Sequence, residues 1–82
     1  MNKQELRKQA HDLDVTVWVG KRGLEAVTDE LDDQLAERDL VKVKFLRAAR
    51  GTDDVDDLAA ELADLVDADV VETRGNTTVL HR

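Results

Sequence analysis

The sequence predicts a small two-layer α/β domain spanning residues 1–82, with the element order α-β-α-β-α-β-β and a four-stranded mixed sheet. Three observations predict this class: two runs in which β-branched residues alternate with others, helical spacing of apolar residues around them, and a Gly-containing turn near the end. A chain this short forms one core. Right-handed strand-helix-strand crossovers would lay helices over one face of the sheet.

The first half of the chain predicts a short helix, a strand and a longer helix. Leu6, Ala10 and Leu13 are spaced by four and three, which predicts an amphipathic helix over residues 4–12. This helix could cover either the sheet edge or the opposite face. VTVWV, at residues 15–19, predicts a strand. Steps of three and four then predict a helix over residues 24–38, with apolar positions at Leu24, Val27, Leu31 and Leu35.

The second half predicts a strand, a third helix and a β-hairpin. LVKVKFL, at residues 40–46, predicts a strand that turns Lys42 and Lys44 to the face opposite its valines. A loop ends at Gly51, after which Thr52 or Asp53 would cap a helix. The apolar positions of that helix are Val55, Leu58, Leu62, Leu65 and Val66. The segments DVVET and TTVLH flank a turn at residues 74–76, which predicts the hairpin.

Several residue types are absent, and their absence excludes whole classes of chemistry. The chain has no Cys, Ser, Tyr or Pro, which removes disulfides, cysteine zinc sites and Ser or Cys nucleophiles. His11 and His81 have no ligand spacing, so we expect neither an enzyme nor a metal or other cofactor. No apolar run reaches ten residues and no signal-peptide pattern is present. We therefore expect a soluble cytoplasmic protein with no membrane contact and no small-molecule substrate.

The formal net charge of −7 is unevenly distributed. Nine acids and no Lys or Arg lie between Gly51 and Thr73, whereas twelve basic residues against ten acids leave the rest of the chain at +2. The chain can therefore present two faces of different sign, and its net charge does not decide its partner. Asp outnumbers Glu by 13 to 6, a bias that resembles the proteins of salt-loving archaea, and we expect a halophilic protein. Ordinary solubilisation by acids is the alternative interpretation.

The segment Gly20-Lys21-Arg22-Gly23 is the most informative local feature, because it lies between a strand end and a helix start. Two glycines allow a close backbone approach to a phosphate, and Lys21 and Arg22 supply charge. A GxxG loop clamps nucleotides in KH domains by the same logic. A tight turn with solvated basic tips is the alternative interpretation. The segment has neither a Walker pattern nor a dinucleotide fingerprint.

Other basic and aromatic residues are weaker candidates. Lys42 and Lys44 share one strand face, a pattern that taken alone is more typical of a solvated face. Arg74 and Arg82 flank the hairpin and could extend a basic strip. Trp18 could stack on a base, but we expect it to be packed, because it is the largest side chain available to so small a core. The acids of the third helix are typical of a solvated face.

Taken in order, these motifs resemble the CRM domain (chloroplast RNA splicing and ribosome maturation) in its stand-alone YhbY-like form. The resemblance covers VWVGKRGLEAVTDELDDQLAERDLVKVKFL, an Ala- and Leu-rich helix, and DVVETRGNTTVLHR. Its most specific parts are the GxxG loop, the Leu-Val-Lys-Val-Lys strand and a terminal pattern at Gly75, Thr77, Val79, Leu80 and Arg82. The chain departs from the family at His81, where relatives have Tyr, and in its acidic charge.

The resemblance implies a non-catalytic RNA-binding protein that binds ribosomal RNA or large-subunit precursors during ribosome assembly. It places the RNA contacts on Gly20, Lys21, Arg22 and Gly23, with support from Lys42, Lys44 and Arg74. We expect a monomer. Two alternatives remain open: an Alba-like nucleic-acid-binding protein, and a protein-protein module whose acidic third helix docks on a basic ribosomal protein.

Overall fold

The computed structural model describes residues 3–51 and 53–82, with Lys3 described by its backbone alone. Its helices and strands are α1 (Lys3–His11), β1 (Val15–Val19), a 3₁₀ turn (Leu24–Val27), α2 (Thr28–Glu37), β2 (Leu40–Phe45), α3 (Arg47–Arg50), α4 (Val55–Leu65), β3 (Asp69–Arg74) and β4 (Thr77–His81). The predicted α/β class with a four-stranded mixed sheet is confirmed.

The sheet has the strand order β1-β2-β4-β3. β1 is parallel to β2, whereas β4 is antiparallel to both of its neighbours. The carboxyl ends of β1, β2 and β3 therefore meet at one edge of the sheet. We call this edge the loop edge and define it as residues 20–23, 46–50 and 74–76. The register places Trp18 beside Lys44, and Lys44 beside Thr77.

The main core lies between one face of the sheet and the helices α2 and α4. The strands contribute alternate residues, because successive side chains of a strand point to opposite faces. Its fully buried side chains include Phe45, Leu31, Leu62, Leu80, Val17, Val19, Val41 and Val43. Burying each such side chain stabilises the fold by about 1.5–3 kcal/mol relative to leaving it in water. This core fixes the strand ends that form the loop edge.

The first helix, α1, packs on the opposite face of the sheet, which settles the question that the sequence left open. Leu6 and Ala10 contact a second, smaller cluster formed by Leu40, Val71 and Val79. These three residues belong to β2, β3 and β4. The cluster contains no β1 residue, so α1 covers only part of this face.

Three local features differ from the prediction. The helix expected over residues 24–38 is divided into a 3₁₀ turn and α2, and the Thr28 hydroxyl donates to the Glu25 carbonyl at 2.9 Å, within the junction. Residues 47–50 form a short helix where a loop was expected. The sequence did not indicate this helix, because four residues are too few to show a periodicity. Asp54, rather than Asp53, takes the N-cap position of α4. Thr52, the other predicted cap, lies outside the described residues.

Candidate nucleic-acid interface

The segment Gly20–Gly23 is a closed β-turn at the carboxyl end of β1. The Gly23 amide donates to the Gly20 carbonyl at 3.0 Å, which places Lys21 and Arg22 at the two central positions of the turn. Both side chains are exposed. Gly23 has φ 83°, a conformation that favours glycine, whereas a Cβ on Gly20 would make only an ordinary contact at 3.8 Å with Leu46. The turn therefore presents two cations on a backbone that requires glycine at position 23 but not at position 20.

The expectation that an α-helix begins directly after this turn is wrong. The 3₁₀ turn follows Gly23, and α2 begins only at Thr28. The aligned dipoles of α2 therefore start one turn away from the GxxG segment. The side chains of Lys21 and Arg22, together with the local amides of the turn, are the groups placed to hold an anion here.

Two backbone hydrogen bonds bring the three segments of the loop edge together. The Leu46 amide donates to the Val19 carbonyl at 2.8 Å, and the Phe45 amide donates to the Asn76 carbonyl at 2.8 Å. Six basic residues consequently lie at or next to this edge, namely Lys21, Arg22, Lys44, Arg47, Arg50 and Arg74. Among the described residues, Lys21, Arg22, Lys44 and Arg47 take part in no salt bridge. None of these four described cations therefore has a carboxylate within salt-bridge distance, although Asp53 and Asp54 line an open depression together with Arg47 and Arg50.

Lys42 and Arg74, unlike Lys21 and Arg22, lie beside polar side chains of α1 and β3. Both line a small cavity of about 80 Å³ together with His11 and Glu72. The Arg74 guanidinium donates to Nδ1 of His11 at 3.3 Å, and Nε2 of that histidine lies 3.6 Å from the Glu72 carboxylate. This network ties α1 to β3 and partly balances the charge of Arg74.

Arg82 is the basic residue that the structure separates from the others. It follows the end of β4, at the edge of the sheet opposite the loop edge. Its guanidinium bonds to the Asp32 carboxylate and donates to the Val66 carbonyl at 3.0 Å. Of the two arginines that flank the hairpin, only Arg74 therefore lies with the other basic residues of the loop edge.

Trp18 is exposed, which corrects the expectation that it is packed. Its side chain is 53% accessible, although Val17 and Val19 on either side of it are fully buried. Strand alternation turns Trp18 to the sheet face that α1 covers only in part. The sequence could not show this, because its patterns do not say how far α1 extends over the sheet. The sequence already indicates that Arg47 and Arg50 extend the positive charge beyond the second strand, and the structure places both in the short helix α3 at the loop edge.

Acidic residues concentrate on the helical side of the sheet. α2 contains five carboxylates and α4 contains four, and neither helix contains Lys or Arg. Glu25, Asp53 and Glu61 line an open groove beside Arg22 and Gly23, on the side of the turn that faces α4. A polyanion at the turn is therefore repelled from the helical side and finds cations toward the sheet face.

The described residues offer little for other kinds of site. Within residues 3–51 and 53–82, no three His, Asp or Glu side chains are grouped so that they could hold a metal ion. In the same part of the chain, no helix is both long enough and apolar enough to cross a membrane.

The fold and the loop edge define a small α/β domain whose distinguishing element is a basic GxxG turn after its first strand. The chain belongs to the CRS1/YhbY (CRM) domain family, whose model matches residues 1–82. This membership confirms the resemblance to the CRM domain and replaces the Alba-like alternative.

Individual relatives agree with this assignment. The chain is 46% identical over 80 residues to a probable RNA-binding protein of Methanocaldococcus jannaschii. The alignment covers 98% of this chain and 60% of that protein. It is 37% identical over 84 residues to the probable RNA-binding protein YqeI of Bacillus subtilis, in an alignment that covers 98% of this chain and 82% of YqeI. The solution structure of a hypothetical protein from Staphylococcus aureus superposes with a TM-score of 0.81 at 33% identity, over 98% of this chain and 82% of that one.

Proposed function

We propose that the chain is a non-catalytic RNA-binding protein that holds RNA at the loop edge. The observation that carries this proposal is the closed turn Gly20–Gly23, with two exposed cations at its centre and further cations on the neighbouring segments. Two similar proteins are named probable RNA-binding proteins, which supports the same conclusion.

The geometry favours contact with the sugar-phosphate backbone. Lys21 and Arg22 project from a turn whose glycines keep side-chain bulk away, so a phosphate can approach the local amides closely. Arg22 offers several donors in a planar fork that suits phosphate oxygens. Lys44 and Arg74 extend the positive charge from the turn along the sheet, and Lys42 lies further from the loop edge on the same face. Such contacts position RNA and carry little sequence information of their own.

We further propose that the RNA is ribosomal RNA or a precursor of the large ribosomal subunit, bound during ribosome assembly. The family's name and the match across the whole chain support this assignment. Folded ribosomal RNA presents closely spaced phosphates, which suit a compact basic edge. The site requires neither a metal nor a cofactor in this proposal.

Two substituted proteins test the loop-edge proposal. Lys21→Ala combined with Arg22→Ala removes two exposed cations and leaves the backbone of the turn intact. RNA affinity should fall, and the slope of log affinity against log salt should flatten by about one for each lost phosphate contact. Arg38→Ala is the matched control, because Arg38 is an exposed cation beyond the carboxyl end of α2, outside the loop edge. Unchanged affinity and slope in the double variant would refute the assignment.

A second candidate function uses the helical side of the molecule. The nine carboxylates of α2 and α4 form an acidic surface that fits a basic ribosomal protein. Co-purification with ribosomal particles after nuclease treatment, lost when Asp56 and Asp57 are changed to Asn, would favour this candidate. Co-purification that nuclease abolishes would favour RNA binding at the loop edge.

A further inference from the structure

Trp18 is an exposed aromatic side chain on the part of the sheet that α1 leaves uncovered. It pairs in register with Lys44 on the adjacent parallel strand, so both side chains point to the same face. Lys44 in turn lies beside Thr77 of β4. The strand residues in the smaller core cluster under α1 come from β2, β3 and β4, and Trp18 is not part of that cluster.

The residues around Trp18 suit contact with a nucleotide, because they are cations close to an exposed ring. It lies two residues before Gly20, which places it about 7 Å along the strand from the basic turn. Lys44 supplies a cation beside the ring, and Lys21 and Arg22 supply two more at the end of the same strand. An indole offers a flat face on which any base can stack, and cations next to it can hold the adjoining phosphates.

We propose that Trp18, with Lys44 beside it, forms a stacking platform for an unpaired RNA base. This inference rests on the proposed function, since the turn Gly20–Gly23 would hold the backbone that leads to the stacked base. The proposal restricts the ligand to RNA that has an unpaired nucleotide next to the phosphates bound at the turn, as in a loop, a bulge or a single strand.

The charge distribution favours this path for the RNA over the opposite one. On the other side of the turn, Glu25, Asp53 and Glu61 line the groove toward α4 and repel phosphate. On the sheet face, the residues nearest to Trp18 across the sheet are Lys44 and then Thr77. A strand of RNA held at Lys21 and Arg22 therefore continues over Trp18 rather than toward α4.

The intrinsic fluorescence of the protein provides a direct test, because Trp18 is the only tryptophan in the chain. Titration with a short oligouridylate should quench this fluorescence and protect the ring from acrylamide. A fully paired RNA duplex should do neither, because its bases are already stacked. An oligonucleotide of the same length without bases should bind more weakly and leave the emission unchanged, which separates stacking from phosphate contact.

Two substitutions complete the experiment. Trp18→Leu keeps an apolar residue on an exposed strand position but removes the ring, and should weaken oligouridylate binding about tenfold or more. Trp18→Phe retains a stacking face and should lose much less. The baseless oligonucleotide should bind the wild-type protein and Trp18→Leu equally. Unfolding midpoints of both variants, measured alongside, verify that the fold is intact.

The outcomes separate the stacking platform from the loop edge. If oligouridylate leaves the fluorescence unchanged, or if Trp18→Leu binds as tightly as the wild type while the Lys21→Ala, Arg22→Ala protein is weakened, the platform is refuted and the loop edge stands. If the wild type binds no RNA, both proposals fail. Ring protection by a protein partner but not by RNA would assign the surface to protein docking and refute the platform.

Discussion

Arg82 and Asp32 form an ion pair that joins the end of β4 to α2. The same guanidinium donates to the Asp32 and Val66 carbonyls, at 3.3 and 3.0 Å. One side chain thus links the last strand, the helix α2 and the segment after α4. These contacts lie at the edge of the sheet opposite the loop edge, so we expect their role to be structural.

Replacing Arg82 by Ala should lower the free energy of unfolding by about 1–2 kcal/mol, because a partly exposed ion pair and a few hydrogen bonds are lost together. Asp32→Asn should cost less, since the bonds to the two carbonyls remain. Chemical denaturation measures both values. RNA affinity should be unchanged in both variants, and a loss of binding in Arg82→Ala without a loss of stability would contradict this structural role.

The two glycines of the turn should respond differently to substitution. Gly23→Ala places a Cβ on a residue with φ 83° and ψ −172°, and should lower stability by about 1–3 kcal/mol. Gly20→Ala should change stability by less than about 1 kcal/mol, because the nearest atom to the added Cβ is at 3.8 Å and the backbone is unstrained. Thermal unfolding of both variants provides the comparison. Equal losses would show that the turn does not depend on the conformation of Gly23.

Two carboxylates occupy positions that oppose their helix dipoles. Glu37 is the last residue of α2 and Asp64 lies in the last turn of α4, and neither helix has a basic residue in its last turn. Glu37→Gln with Asp64→Asn should raise stability by about 1 kcal/mol in total at low salt, and this gain should shrink at molar salt, where the effect is screened. Asp56→Asn, in the first turn of α4, is the control and should be neutral or destabilising. A gain that is equal at both salt concentrations would contradict the electrostatic explanation.

Folding should depend on salt if the acidic composition reflects halophily. The carboxylates of α2 and α4 other than Asp32, which is paired with Arg82, repel one another across the helical side. At about 3 M potassium chloride the Debye length is below 3 Å, whereas at about 0.1 M it is near 10 Å. We therefore expect circular dichroism to show a larger folded fraction as salt increases over this range. A protein that is fully folded at the low end would contradict the halophilic interpretation.

Neutralising acids should affect RNA binding according to their distance from the turn. Glu61 lines the groove next to Arg22, so Glu61→Gln should raise RNA affinity by about twofold at low salt. Asp56 and Asp57, which do not line this groove, can be changed to Asn and should leave the affinity unchanged. Filter binding at two salt concentrations measures the difference. A larger effect from Asp56 and Asp57 would place the RNA on the helical side.

Much of the fold could be predicted because it depends on local periodicity. The alternation of Val41, Val43 and Phe45 identifies both β2 and its buried face, and the helical spacing identifies α2 and α4. The position of α1 depends on a packing contact between Leu6 and residues distant in sequence, which no local pattern contains. The exposure of Trp18 follows from that position. The charges of Arg47 and Arg50 follow the second strand directly in the sequence and could be anticipated, whereas the four-residue helix that carries them could not.

The separation of charge between the two sides of the sheet also bears on how many partners the domain can hold. The molecule measures 34 × 24 × 20 Å, whereas electrostatic potentials decay over about 8 Å at physiological salt. A polyanion on the sheet face therefore experiences little repulsion from the carboxylates on the outer surfaces of α2 and α4. A polycation bound to those helices likewise experiences little repulsion from Lys21 or Lys44. The isoelectric point of about 4.6, which averages both sides, describes neither of them. Ligands of opposite sign need not compete, because each would occupy the side of the sheet whose charge is opposite to its own.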